Sequence, residues 1–284
     1  MKSKLKKIIL VIVIIIILFF MFNPSSNSHR IDIAGSTSVQ PLAEILDNTY
    51  SKNHSDLLIN VQGGGSGMGI RSIQQKITNI GMSSEHLTKE DEKGVTELKL
   101  GDEGIVVCVN NKNKVSNLTS QQIKDIFSGK ISNWKDVGGD NSEIHVITRE
   151  DGSGTRTEFE SILMENERIK KDAIVQSSTN AIEQSVTNDE NAIGYISYAT
   201  ITDNVKDLII DGVKISDKTI SDGSYKLKRP YIFLIHDNEN EYVKNFLNWV
   251  FSSEGIEIIK HKKIIPPTEN ELKTIRNTIS NIST

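Results

Sequence analysis

The sequence contains very little cysteine, and its histidines do not have the spacing of a metal site. Cys108 is the only cysteine of the 284 residues, so no intrachain disulfide can form. It lies inside an apolar, strand-like run, which favours a buried and unreactive thiol over a nucleophile. The six histidines show no H-x-x-x-H or other zinc spacing. We therefore expect no metal ion.

Motifs of nucleotide binding and of hydrolysis are also missing from the sequence. It contains no G-x-x-x-x-G-K-[ST] P-loop, and Gly63–Gly69 lacks the acidic partner of a G-x-G-x-x-G dinucleotide site. A G-x-S-x-G elbow centred on Ser66 fails at Met68. Glycines and hydroxyls without a general base are typical of binding rather than turnover. We expect a protein that is not an enzyme and has no cofactor.

Positive charge is scarce beyond the first residues. Residues 1–7 hold four lysines, and the rest of the chain has 29 basic and 37 acidic residues, a net charge of −8. Such an acidic chain is a poor candidate for nucleic-acid binding. If it binds an anion, the attraction must come from local dipoles and one or two arginines.

One long hydrophobic run, Ile8–Phe22, follows the four lysines. A charged start and an apolar run of fifteen residues are typical of an export signal, and fifteen residues are short for a membrane span. No small-x-small cleavage site follows it. We expect residues 1–23 to be a signal or an uncleaved membrane anchor, residues 24–30 a linker, and the folded part to lie outside the cytoplasm.

Turns rich in glycine and hydroxyl side chains recur after short strands. The helix starts that follow have unpaired backbone N–H groups and a positive dipole end, which suit an oxyanion. Repeated strand–turn–helix units predict an open α/β sheet with its ligand beyond the carboxyl ends of the strands. The turns are Gly35–Ser38, Gly63–Gly69, Ser83–Glu85 and Arg149–Arg156.

The last of these turns, Arg149–Arg156, is the most informative. It joins the apolar run Ile144–Ile147 to a helical pattern, and its two glycines leave room for close approach to the backbone. Arg149 offers a bidentate fork for an anion. The alternative is an ordinary helix cap at Ser153 or Thr155 with Arg149 in solvent.

Together these pieces resemble the PstS family, the phosphate-binding proteins of ABC transporters. The matching segments run in family order from about residue 31 to 200, and the last 80 residues match loosely. They are Ala34–Leu42, Gly63–Ile70, Ile80–Ser84, Asn117–Thr119, Ile126–Ile131, Asn133–Trp134, Arg149–Arg156 and Ala192–Tyr195.

The resemblance implies a two-lobed α/β type II periplasmic-binding-protein fold with the ligand cleft between the lobes. Two strands would cross between the lobes, near Ile105–Val109 and Tyr231–Ile235. Residues 31–108 plus 232–284 would form lobe one, and residues 109–231 lobe two. The implied partners are inorganic phosphate and the permease subunits of an ABC importer, and we expect a monomer.

The resemblance also implies the ligand contacts. Thr37 and Ser38 match the first-turn contacts, Ser66 the second-turn hydroxyl, and Arg149 the phosphate-binding arginine. Some relatives carry an aspartate that accepts the phosphate proton where this chain has Ser84, and Glu85 follows where many relatives carry arginine. The expected ligand-binding residues are Ser36, Thr37, Ser38, Ser66, Gly67, Ser84, Glu85, Arg149, Ser153, Gly154 and Thr155.

Three alternatives stay open from the sequence. The ligand could be another oxyanion, such as sulfate or molybdate, because Ser84 replaces the discriminating carboxylate. The chain could be a secreted phosphoester hydrolase, although metal ligands and a general base are missing. It could also be a signalling or adhesion module that has lost transport.

Overall fold

The computed structural model describes residues 29–165 and 167–283. Within these ranges eleven strands alternate with nine α-helices. The strands are β1 (Arg30–Gly35), β2 (Leu58–Gly63), β3 (Ile80–Ser83), β4 (Thr96–Asn110), β5 (Asn117–Leu118), β6 (His145–Arg149), β7 (Ile174–Gln176), β8 (Ala192–Ser197), β9 (Val205–Asp207), β10 (Ile209–Ile210) and β11 (Lys228–Ile235). The helices are α1 (Gln40–Tyr50), α2 (Ser66–Gln74), α3 (Ser120–Ser128), α4 (Gly154–Phe159), α5 (Thr179–Asn188), α6 (Asp217–Ser221), α7 (Glu241–Val250), α8 (Ser253–His261) and α9 (Glu269–Ser280).

Local sequence explains why several of these helices begin and end where they do. Pro41 sits in the first turn of α1, where its missing N–H costs nothing, and the apolar face of α1 buries Leu42 and Leu46. Helix α3 begins with a capping box between Thr119 and Gln122 and ends at Gly129, whose φ of 85° is left-handed. Helix α4 passes directly into a π-helical turn, Glu160–Met164.

The strands form one main sheet of mixed direction. Its order is β2-β1-β3-β11-β4-β8-β6-β7, and β9 pairs with β4. Strands β1, β2 and β3 run parallel at one end, and β6, β7 and β8 run parallel at the other. Because the turns after parallel strands meet at one sheet edge, this order brings the glycine-rich turns of each end to common edges.

Strands β4 and β11 lie antiparallel in the middle and join the two ends. The first part of the long β4 strand pairs with β11, and its second part pairs with β8 and β9. The β4–β11 register shifts between Tyr231 and Ile232. These two strands are therefore the direct covalent connection between the two halves of the sheet.

Two large hydrophobic cores flank this connection. One contains residues between Ile31 and Leu100 together with residues from Tyr231 to Ile282. The other contains residues between Ile105 and Leu227. The chain thus passes between the cores at residues 100–105 and 227–231, a few residues before the predicted crossings. The lobe bounds given above remain a prediction, whereas the two-lobed α/β class is confirmed.

The predicted N-terminal segment, residues 1–23, and linker residues 24–28 lie outside the described residues. Arg30, assigned to the linker from the sequence, is instead the first residue of β1, where it pairs with Leu58. In the described part of the chain, no helix is both long enough and apolar enough to cross a membrane.

Candidate functional site

Five hydroxyl side chains meet between the two halves of the sheet and are called the hydroxyl cluster here. Ser84 Oγ is its centre and contacts Ser36 Oγ at 2.8 Å, Ser38 Oγ at 3.2 Å and Ser66 Oγ at 3.3 Å. Ser38 Oγ also lies 3.4 Å from Thr155 Oγ1. All five side chains are at most 2% exposed. The cluster members are Ser36, Ser38, Ser66, Ser84 and Thr155.

Each member comes from a turn at the end of a strand or from the start of a helix. Ser36 and Ser38 follow β1, Ser66 opens α2, Ser84 follows β3, and Thr155 lies in the first turn of α4. Gly35 permits the close approach of β1 to β3, because its φ is +142° and a Cβ there would lie 2.2 Å from the Met82 carbonyl oxygen. The structure therefore brings together turns that are 117 residues apart, from Ser38 to Thr155.

The two halves touch directly at Gly154. A Cβ on Gly154 would lie 2.3 Å from Ser66 Oγ and 3.0 Å from Ser84 Oγ. Nearby, the Gly67 N–H donates to the Gly152 carbonyl oxygen at 3.0 Å. The cluster is thus enclosed by backbone from both halves, in agreement with its burial.

Arg149 is buried at the end of β6, with 1% of its surface exposed, so it is not the solvated arginine of the alternative interpretation. Its Nε and Nη2 donate to the Glu150 carboxylate at 2.8 Å each, and Nη1 donates to Thr179 Oγ1 at 3.3 Å. The Tyr195 hydroxyl accepts from the Arg149 N–H at 3.2 Å, and burial raises the pKa of Tyr195 to about 12. These contacts fix the arginine in the turn that leads to Thr155.

Three further predicted ligand residues, Ser153, Thr37 and Gly67, are not members of the hydroxyl cluster. Ser153 caps α4, since its Oγ accepts from the Arg156 N–H at 3.4 Å. The Thr37 Oγ1 atom is buried and has no hydrogen-bond partner within residues 29–165 and 167–283. The Gly67 N–H is used by Gly152, as described above. The roles of these residues as ligands therefore remain predictions.

Glu85 lies beside the hydroxyl cluster and is 9% exposed. Burial raises its pKa; Asp91 and Glu158 add to the rise, while Thr157 and Arg229 oppose it. In the described part of the chain, no carboxylate hydrogen-bonds to a member of the cluster. The predicted contact between Glu85 and a bound anion stays a prediction.

Arg229 and Glu103 are polar residues of the site that sequence reasoning missed. Arg229 Nη1 lies 2.5 Å from Thr155 Oγ1 and 3.3 Å from Ser84 Oγ, and Nε donates to Glu103 Oε2 at 2.9 Å. Both side chains of this ion pair are 0% exposed. An arginine that opens the apolar strand run Pro230–Ile235 was the signal that could have revealed it.

The chemistry of this site is that of hydrogen-bond donation to an anion. Five hydroxyls and the Arg229 guanidinium converge, and no histidine among residues 29–165 and 167–283 hydrogen-bonds to the cluster. Within the same ranges no group of three or more His, Cys, Asp or Glu side chains is arranged to hold a metal ion. Converging donors of this kind can hold an anion by hydrogen bonds.

The two lobes and the buried polar cluster between them define a substrate-binding protein of the type II periplasmic class. A family model described as "PBP superfamily domain" matches residues 23–254. The phosphate-binding protein PstS of Bacillus subtilis is 30% identical over 248 residues, covering 85% of this chain and 82% of that protein. This chain therefore belongs to the PstS family of the PBP superfamily, and the predicted family is confirmed.

Two solved structures support the same assignment. A Clostridium perfringens protein assigned to phosphate ABC transport, crystallised with bound phosphate, is 34% identical with a TM-score of 0.81, and the match covers 84% of this chain and 100% of that one. An ABC-type phosphate transport receptor from Vibrio cholerae is 32% identical with a TM-score of 0.70, again covering 84% and 100%.

Proposed function

We propose that this chain is an extracytoplasmic receptor that binds inorganic phosphate between its lobes and delivers it to an ABC importer. The observation that carries the proposal is the hydroxyl cluster, because it draws donors from both lobes into one buried place. Membership of the PstS family supports phosphate as the ligand.

In this proposal several turns together bind a tetrahedral anion. Hydroxyls of Ser36, Thr37, Ser38, Ser66, Ser84 and Thr155 and the backbone amide of Gly154 would donate hydrogen bonds, while Arg149 and Glu85 would set the local charge. The N–H groups of Gly67 and Ser153 donate to the Gly152 and Glu150 carbonyl oxygens, so these two residues would line the anion without donating to it. Charge-assisted hydrogen bonds of guanidinium to phosphate are about twice as strong as neutral ones. Since the cluster is buried, phosphate must enter while the lobes are apart. Closure of the lobes would then form the surface that the permease recognises.

The test is calorimetric titration of the full chain, purified in mild detergent, with inorganic phosphate. We expect one site per chain and a Kd of about 1 μM or below, which corresponds to about −8 kcal/mol. Arsenate should compete with phosphate. Absence of a binding signal at millimolar phosphate would refute the proposal.

A second candidate ligand is another divalent oxyanion, and one observation favours testing it. Ser84 occupies the centre of the cluster where a proton-accepting carboxylate would distinguish phosphate from sulfate. Sulfate and molybdate should therefore be titrated beside phosphate. If either one has a lower Kd than phosphate, that anion becomes the proposed ligand. A chromogenic phosphoester assay tests the hydrolase alternative, and we expect no turnover.

The cellular part of the proposal concerns the N-terminal segment. We propose that residues 1–23 export the chain and hold it at the membrane surface, where the permease is reached. Fractionation of cells followed by N-terminal sequencing would distinguish the two forms: an anchored chain begins at Met1 in the membrane fraction, and a cleaved one begins after residue 23. Deletion of the coding sequence should reduce phosphate uptake, and unchanged uptake would favour a signalling or adhesion role.

A further inference from the structure

Arg229 occupies the strand that connects the lobes. It is the second residue of β11 and pairs in register with Glu103 of β4. Glu103 Oε2 accepts from Arg229 Nε, and Glu103 Oε1 accepts from Ser197 Oγ at 2.7 Å and from the Ala199 N–H at 3.1 Å. This carboxylate is therefore fully engaged and holds one edge of the guanidinium in place.

The opposite edge of the guanidinium faces the hydroxyl cluster. A guanidinium has five N–H donors in a fixed planar fork. Nε is used by Glu103, and Nη1 is used by Thr155 and Ser84. Nη2 is buried and has no hydrogen-bond partner in the described ranges 29–165 and 167–283. A buried donor without an acceptor is costly, which makes Nη2 a donor in need of a partner.

Unlike Arg229, Arg149 has a hydrogen-bond partner for every side-chain nitrogen. All three of its side-chain nitrogens already donate to Glu150 and Thr179. Among the residues that the structure describes, Arg229 is the cationic side chain that hydrogen-bonds directly to the hydroxyl cluster. It is also the one positioned between the two cores.

We propose that Arg229 is a direct ligand of the bound oxyanion, donating from Nη2 and Nη1, and that Glu103 is the residue that positions it. The inference rests on the proposed function, because it assigns a further contact to the same anion. Glu103 engages only the Nε of Arg229 and leaves Nη1 and Nη2 available to the anion, whereas all three side-chain nitrogens of Arg149 donate to Glu150 and Thr179. Its place on a connecting strand gives the anion a contact that belongs to the hinge rather than to either lobe alone.

The test removes the ion pair as a whole, because deleting one partner of a buried pair leaves an uncompensated charge and destabilises the protein. The variant is Arg229→Met with Glu103→Gln in the full chain. We expect its Kd for inorganic phosphate to rise by about 10- to 100-fold, the effect of losing a hydrogen bond between charged groups. Arg229→Lys keeps the charge and loses the fork, and we expect an intermediate loss.

The matched control is Lys99→Met with Asp102→Asn. This ion pair has an N–O distance of 2.9 Å and lies on the same strand β4, but its side chains are about 30% exposed and do not touch the cluster. We expect its phosphate Kd to stay within about twofold of the wild type, because partly exposed pairs contribute little. Equal Kd values for the R229M/E103Q variant and the wild type would overturn the proposal.

A crystal structure of the wild-type chain with phosphate tests the contact even if the double variant does not fold. We expect an anion oxygen within hydrogen-bond distance, at most about 3.2 Å, of Arg229 Nη2 or Nη1. An anion farther than about 4 Å from both nitrogens would overturn the proposal. If the wild type itself binds no phosphate, the proposed function fails, and that result is distinct from wild-type binding without an Arg229 contact.

Discussion

Gly154→Ala places one methyl group in the contact between the lobes. The new Cβ would lie 2.3 Å from Ser66 Oγ and 3.0 Å from Ser66 Cβ, whereas ordinary contact begins at 3.4 Å. The lobes must therefore separate by about 1 Å, or the Ser66 hydroxyl must turn away from Ser84. Helix α4 itself should not suffer, since alanine is a better helix former than glycine by up to about 1 kcal/mol.

The size of the effect follows from the contacts that span the lobes. A separation of 1 Å stretches the Gly67–Gly152 hydrogen bond from 3.0 Å to about 4 Å, which is too long for a hydrogen bond. The Ser38–Thr155 contact, already 3.4 Å, is lost as well. At about 0.5–1.5 kcal/mol each, the two losses total about 1–3 kcal/mol. We expect phosphate binding to weaken by about 10- to 100-fold.

The assay is calorimetric titration with phosphate, accompanied by thermal unfolding without phosphate. The melting temperature of the ligand-free variant should equal or exceed that of the wild type, because the defect concerns closure and not folding. Ser66→Gly, alone and combined with Gly154→Ala, completes a double-mutant cycle. The Gly154→Ala penalty should be much smaller in the Ser66→Gly background. A full penalty in both backgrounds, or a wild-type Kd for Gly154→Ala, would refute the clash as the cause.

Three further predictions concern single side chains. Arg149→Lys should raise the phosphate Kd by about tenfold or more in calorimetry, since an ammonium cannot replace a fork, and an unchanged Kd would contradict its role as a ligand. Because the pKa of Glu85 is raised in the folded protein, its contribution to stability is present below the ordinary value of 4.5 and is lost as the pH rises through the folded-state pKa. Urea unfolding should therefore show Glu85→Gln gaining stability over the wild type from pH 4.5 to pH 7.5, and parallel curves would contradict this. Burial raises the pKa of the Cys108 thiol, so maleimide should label it in denaturant and not in the native protein; rapid native labelling would contradict its burial.

The element order and the turns of the site follow from local sequence. The apolar run Ile144–Ile147 lies within two residues of strand β6 (His145–Arg149), and the four predicted turns lie at the ends of β1, β2, β3 and β6. Short apolar runs, capping residues and glycines determine such elements through backbone geometry and hydrophobic periodicity, which a sequence displays directly. The family resemblance then followed from the same turns.

Strand β4 shows where local pattern is insufficient. Its apolar second half contains the predicted crossing segment Ile105–Val109, but the strand begins at Thr96. The first half alternates with charged residues and is a strand because β11 pairs with it along its full length. Partners of this kind are decided by sheet register and not by the propensity of the segment.

The sequence by itself determined that hydroxyl-rich turns end successive strands, because such turns require glycines and capping residues, which are visible in the local sequence. Only the tertiary structure decided which polar groups those turns meet. Arg229 pairs with Glu103 across 126 residues, and Arg149 turns to its neighbour Glu150. Hydrophobic periodicity indicates which face of a helix or strand is apolar. The charge partners of a buried arginine depend instead on which strands become neighbours in the folded sheet.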